Sequence, residues 1–178
     1  MTAAVADKAT PLPGGIYCPV LSIYKPTPRQ EIDLDASYKY FSYLIRGGMD
    51  GLVLAGTTAE AVLLSPTERQ DLVRVARKAA LDLGLSNYPL VAGISGQSTN
   101  ESIRLAEEAQ QAGADFGLLL PPSYWAKAVN KNVILDFYHE VADHSGIPIV
   151  VYSVCLSSCG SRNTLVQATN SCIVSCSL

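Results

Sequence analysis

Gly51-Leu52-Val53-Leu54-Ala55, continuing directly into Gly56-Thr57-Thr58-Ala59-Glu60, is a short apolar run that ends in a glycine and two threonines. A brief apolar run bounded by turn residues reads as a strand buried on both faces, the kind found in parallel sheets. The turn after it leaves backbone N–H groups and hydroxyls at the carboxyl end of the strand, where they can hold a small carboxylate. The same residues also serve in an ordinary strand-to-helix loop. A helix start comes next in the chain: Ser65-Pro66-Thr67-Glu68 offers a serine to cap the third backbone N–H, a proline for the first turn and a glutamate that can reach back.

The strand-turn-helix pattern recurs along the chain. Apolar runs at Ile16 to Leu21, Leu90 to Ile94, Phe116 to Leu120 and Ile147 to Tyr152 read as further strands, the first interrupted by Pro19. Asp33 can cap a helix over Leu34 to Arg46, with Ala36, Tyr40, Tyr43, Leu44 and Gly47 assigned to its buried face. In the helix opened by Ser65, the buried stripe is Leu72, Val75, Ala76, Ala79 and Leu83, ending at Gly84. Ser98 opens a third helix with Ile103, Ala106, Ala109 and Ala112 inward and Gly113 at its close. Ile134, Phe137, Tyr138 and Val141 mark a fourth, reached through the rigid loop Pro121-Pro122-Ser123-Tyr124-Trp125. Five strands separated by helices give a parallel α/β sheet. This fits an open doubly wound sheet or the first five βα units of a (β/α)8 barrel. Either way Thr57, Thr58, Tyr124 and Tyr152 fall at the carboxyl ends of strands, where such folds bind ligands.

Composition removes several function classes. A net charge of −3 over 178 residues, with scattered Lys and Arg, gives no basic patch for nucleic acid. No run approaches the ~18 apolar residues of a membrane span, and Met1 to Gly15 has no apolar signal core, so a cytoplasmic protein without membrane contact is expected. The first strand is not followed by Gly-x-Gly-x-x-Gly, which argues against a dinucleotide, and no cofactor is expected. His139 and His144 have no third ligand in view, so no metal site is assigned.

With these residues located, the chain resembles the dihydrodipicolinate synthase and N-acetylneuraminate lyase family, class I aldolases on a (β/α)8 TIM barrel. The resemblance runs from Gly15 to Tyr152. It is carried by Gly15-Ile16-Tyr17-Cys18-Pro19, Gly56 to Glu60 with Leu64 to Arg69, Ala92-Gly93-Ile94, Ala112 to Asp115, Pro122-Ser123-Tyr124 and Val150-Val151-Tyr152. It implies Schiff-base aldol or retro-aldol chemistry on a small 2-oxo acid such as pyruvate, in a homo-oligomer, with a lysine on the sixth strand as nucleophile. It also implies that Thr57 and Thr58 bind the pyruvoyl carboxylate, that Tyr152 passes protons to and from the carbinolamine, and that Tyr124 completes the relay through Thr57 from a neighbouring subunit. Ala59 stands where the family usually has glycine, so a strained turn is expected if that position requires positive φ.

The resemblance stops after Tyr152. From Ser153 to Leu178 the chain has one charged residue, Arg162, against seven serines and four cysteines, and its last lysine is Lys131. The Schiff-base lysine is absent, and neither Lys127 nor Lys131 is placed like it. The expected organisation is an extension over 1–14, a partial barrel over 15–152 and an unrelated tail over 153–178, which reads as a retained intron or shifted frame. A genomic sequence without a barrel-like continuation downstream would exclude that origin. Cys155, Cys159, Cys172 and Cys176 pair at three-residue gaps rather than the usual zinc-knuckle spacing of about two, so they read as free thiols. Losing three βα units would leave the first and fifth strands as open edges. Two further readings are a non-catalytic subunit beside a full-length homologue, using the Tyr124-Trp125 loop, and a small independent binding module.

Overall fold

The computed structural model describes residues 11–124, 129–153 and 171–175, with Ser153 and 171–175 as backbone alone. The elements are β1 (Tyr17–Pro19), α1 (Leu34–Arg46), β2 (Gly51–Leu54), a 3-10 turn (Ala61–Leu63), α2 (Pro66–Asp82), β3 (Leu90–Gly93), α3 (Thr99–Ala112), β4 (Phe116–Leu119), α4 (Lys131–His144), β5 (Ile149–Ser153) and β6 (Ser171–Ser175).

The helix ends obey the capping residues. Asp33 accepts from the Ala36 N–H at 2.9 Å. At α2 the capping box is complete, with Glu68 N–H donating to Ser65 Oγ at 3.3 Å and Ser65 N–H to Glu68 Oε2 at 2.9 Å. Ser98 accepts from Glu101 N–H at 3.2 Å, and Gly113 closes α3 in the left-handed region at φ 102°.

All strands pair in parallel in the order β1-β2-β3-β4-β5-β6. A doubly wound sheet reverses direction at a switch point, whereas strands laid side by side in chain order form a barrel wall. The wall has two apolar faces. Leu52, Leu54, Leu90, Ala92, Leu119, Ile149 and Val151 face the helices, meeting Phe41, Leu72, Ala76, Ala106 and Val141. Val91, Phe116, Leu118 and Val150 form a separate cluster on the other face with Tyr17, Val53, Leu120 and Tyr152. Both faces are apolar because each strand is covered on both sides, which is why these runs do not alternate.

Three expectations are corrected. The first concerns α1, whose buried residues are Ser37, Phe41, Ser42 and Ile45, while Tyr43 is 73% exposed. The stripe read from Tyr40, Tyr43 and Leu44 lies on the flank of the helix, because Phe41 and Ile45 hold the face against the sheet. The second concerns the edge: Ser171–Ser175 pairs with β5, so β5 is not an edge in the described sheet. Ile173 and Val174 suit a strand, but the serines and cysteines around them obscured it. The third is Ala59, which is not among the positive-φ residues; Ala55 (φ 48°) and Glu60 (φ 54°) are. Among the described residues no helix is long and apolar enough to cross a membrane.

Candidate functional site

The turn after β2 is built by its own backbone. Gly56 C=O accepts from Ala59 N–H at 3.1 Å and Ala61 N–H at 3.3 Å, and Thr57 C=O accepts from Glu60 N–H at 3.0 Å. Left-handed residues at Ala55 and Glu60 bracket it and turn the chain sharply out of the strand. Thr57 and Thr58 stand exposed on the outside of this turn, and neither their N–H groups nor their hydroxyls donate to an acceptor among the described residues. The turn therefore leaves donors open to solvent at the carboxyl end of β2, without an acceptor among the described residues.

Neighbouring elements fix the turn. Ala59 is 1% exposed, and its C=O accepts from Ser22 Oγ at 2.7 Å, which ties the turn to the loop after β1. Arg69, one turn into α2, donates through Nη2 to Ala61 C=O at 2.7 Å and through Nη1 to Gly93 C=O at 3.4 Å. Burial lowers the Arg69 pKa, with Glu101 and Glu108 acting in the opposite sense. A Cβ on Gly93 would overlap the Ala55 carbonyl, so β3 must carry glycine there for β2 to end as it does.

Tyr152 lies at the carboxyl end of β5, half-buried on the same face as Val150 and Leu118. Tyr124 comes after β4. Its backbone N–H and that of Ser123 donate to Gln97 Oε1 at 3.1 and 3.3 Å, and Gln97 N–H donates to Glu101 Oε2 at 2.8 Å. The Tyr124 side chain is 77% exposed. All four residues singled out from the sequence thus belong to one end of the sheet. No hydrogen bond joins Thr57 to Tyr152 among the described residues.

Sequence reasoning missed the supports: Ser22, Arg69, Gln97 and Ser95, whose Oγ accepts from Leu120 N–H at 2.9 Å. Arg69 and Gln97 had a local signal, since each sits beside a helix cap, but their side-chain partners, Ala61 and Gly93 for Arg69 and the Ser123 and Tyr124 N–H groups for Gln97, lie on other elements. Lys131 is the first residue of α4 and lies on no strand. Lys127, Trp125 and the pairs Cys155/Cys159 and Cys172/Cys176 lie outside the residues whose side chains are described, as does the segment expected to be foreign beyond 153 apart from the backbone of β6. His144 Nδ1 is 2.8 Å from Glu140 C=O, and among the described residues no group of three potential metal ligands comes together.

Comparison with known proteins gives this geometry a family. The chain is 37% identical over 145 residues to L-threo-3-deoxy-hexylosonate aldolase of Aspergillus niger, covering 81% of this chain and 43% of that protein. It is 35% identical over 123 residues to 4-hydroxy-tetrahydrodipicolinate synthase of Acidothermus cellulolyticus, covering 69% and 38%. Among solved structures, a dihydrodipicolinate synthase family protein from Coccidioides immitis superposes with a TM-score of 0.70 at 36% identity, over 78% of this chain and 43% of that one. YagE of E. coli K12, a family member solved in complex with pyruvate, superposes with a TM-score of 0.69 at 30% identity, over 79% and 44%. The chain therefore spans less than half the length of these relatives. The family model described as the dihydrodipicolinate synthetase family matches residues 13–167, and the chain belongs to that family.

Proposed function

We propose that this chain carries the 2-oxo-acid-binding part of a Schiff-base aldolase, and that these 178 residues do not complete the reaction alone. The observation that carries the reading is the pair of exposed residues Thr57 and Thr58, whose donors meet no acceptor among the described residues, at the same end of the sheet as Tyr152. The turn would hold the carboxylate of pyruvate or a related 2-oxo acid by backbone N–H and hydroxyl donors. Tyr152 would move the proton that carbinolamine formation and collapse require, and Tyr124 of a neighbouring subunit would continue the relay through Thr57. The step that makes the 2-oxo carbon an electron sink needs a lysine amine, and no lysine follows Lys131.

Two measurements test this. Pyruvate should shift the backbone amide resonances of Thr57 and Thr58; unmoved resonances at saturating pyruvate would remove the binding half of the proposal. Pyruvate with borohydride should add no mass to the chain, and a stoichiometric adduct would overturn its inactivity.

A second reading is a non-catalytic subunit beside a longer homologue. Val62 and Leu63, 86% and 69% exposed in the 3-10 turn just beyond Thr58, favour it because they add apolar surface at the end of the sheet that carries Tyr124. Copurification with a full-length relative supports it, and a lone monomer in sedimentation counts against it.

A further inference from the structure

We infer that Tyr24 is a positioning residue for the turn that carries Thr57 and Thr58, acting through the Glu60 carboxylate, an inference that rests on the carboxylate-binding reading of that turn. Tyr24 stands in the loop after β1, which folds back on itself as two paired arms. Lys25 N–H donates to Glu31 C=O at 2.8 Å, Asp33 N–H donates to Ile23 C=O at 2.7 Å, and Tyr24 pairs with Ile32 in an antiparallel bridge. The paired arms are tied to the turn by Ser22 Oγ, which donates to Ala59 C=O at 2.7 Å. Tyr24 packs against the helix-side core, whereas Tyr152 belongs to the inner cluster. The two phenols therefore lie on opposite faces of the wall, and Tyr24 supports the turn from behind.

The Tyr24 hydroxyl oxygen is shut off from solvent and has no hydrogen-bond partner of good geometry among the described residues. Leaving a buried hydroxyl in that state is costly, and the cost disappears once an acceptor comes into line. Two acceptors lie close enough to act on its ionisation. Burial raises the Tyr24 pKa, Glu60 raises it further, and the Ser22 hydroxyl acts in the opposite sense. The phenol thus keeps its proton and is available as a donor. Glu60 is the stronger acceptor of the two, since a hydrogen bond to a carboxylate is about twice as strong as one between neutral groups. Glu60 also stands in the left-handed region at φ 54°, which is uncommon for a residue other than glycine. Its N–H donates to Thr57 C=O at 3.0 Å, so whatever orders Thr57 and Thr58 also orders Glu60. A ligand carboxylate on the two threonines fixes the backbone that aims the Glu60 side chain, which then accepts from Tyr24 Oη. The bond completed in the loaded turn favours the loaded state.

The test places Tyr24→Phe in the full 178-residue chain and reads stability and affinity separately. Phenylalanine removes a buried hydroxyl that has no aligned partner, so the urea midpoint of the free chain should be unchanged or higher. Pyruvate affinity, followed through the backbone amide resonances of Thr57 and Thr58, should fall about tenfold, because the bond to Glu60 in the loaded turn is gone. A side chain that only filled space would not separate the two readouts. Glu60→Ala should weaken pyruvate by a similar factor, and the double variant with Tyr24→Phe should lose no more than either alone. Equal pyruvate affinity in Tyr24→Phe and the parent, additive losses in the double variant, or a lowered urea midpoint in Tyr24→Phe would each overturn the role of Tyr24 while leaving pyruvate binding in place. Pyruvate that moves neither amide of the parent chain would overturn the carboxylate-binding reading, and the role of Tyr24 with it.

Discussion

The carbonyl of Ala55 occupies the space that a Cβ on Gly93 would fill: such an atom would stand 2.7 Å from the Ala55 carbonyl carbon and overlap its oxygen. The end of β2 and the end of β3 are thus in backbone contact, and the turn bearing Thr57 and Thr58 leaves the sheet at that contact. Gly93→Ala must push Ala55 away or distort β3. Overpacking of this kind costs about 1–3 kcal/mol, and backbone on both sides puts this site at the upper end. Urea denaturation should show the loss, and a midpoint equal to that of the parent chain would show that the contact yields freely.

Ala59 leads to a prediction opposite in sign to the one its sequence context suggests. Were its φ positive, Ala59→Gly would relieve strain. The left-handed residues are instead Ala55 and Glu60, and Ala59 is 1% exposed. Glycine at 59 removes a buried methyl and adds unfolded-state freedom, so the substitution should destabilise by about 0.5–1 kcal/mol. A stabilised variant in thermal or chemical denaturation would refute this.

The elements legible in the sequence were those whose cause is local. Ser65 and Glu68 lie three residues apart and cap each other, so α2 could be placed from the letters alone. The Thr57-Thr58 turn was legible for the same reason, as a glycine and two threonines after an apolar run. The readings that failed depended on partners distant in sequence. Tyr43 has the spacing of a core residue but lies on a flank, and only the positions of the sheet and α2 separate it from Phe41. Arg69 is one more arginine in a helix until Ala61 and Gly93 arrive as its acceptors. The spacing of βα units left barrel wall and open sheet both open; the family resemblance selected the barrel, and the pairing order bears it out.

Tyr88 sets an alkaline limit. It is buried, its hydroxyl donates to Met49 C=O at 2.7 Å, and burial above all pushes its pKa from 10.0 up to about 12, with Asp50 adding to the effect. The folded value exceeds the unfolded one, so its contribution to stability is complete below about pH 10 and is lost as pH rises through about 12. Tyr88→Phe should cost about 1 kcal/mol near neutrality through the lost hydrogen bond. The gap between the two proteins should then narrow and reverse above about pH 10. Denaturation midpoints tracked from neutral to alkaline pH decide the matter, and a constant gap would exclude Tyr88 as the titrating group.

Arg69 offers the most direct control over the shape of the turn. Its two guanidinium donors hold Ala61 C=O, just past the turn, and Gly93 C=O, at the end of β3. Arg69→Met keeps most of the apolar stem but leaves both carbonyls without that donor. Hydrogen bonds from a charged group contribute about 1.5–3 kcal/mol, and the 3.4 Å bond to Gly93 is the weaker, so about 2 kcal/mol should be lost. The loss should be local. Amides from Ala59 to Leu64 should exchange faster in Arg69→Met, while those in α4 keep their protection, because the released carbonyls lie in the 3-10 turn and at the end of β3. Arg69→Lys separates charge from geometry: an ammonium on a shorter stem cannot hold both carbonyls in a planar fork, so it should restore only part of the protection. If the lysine variant matched the parent in exchange across the turn, charge alone would hold it, and the two-point hold by the guanidinium would be wrong.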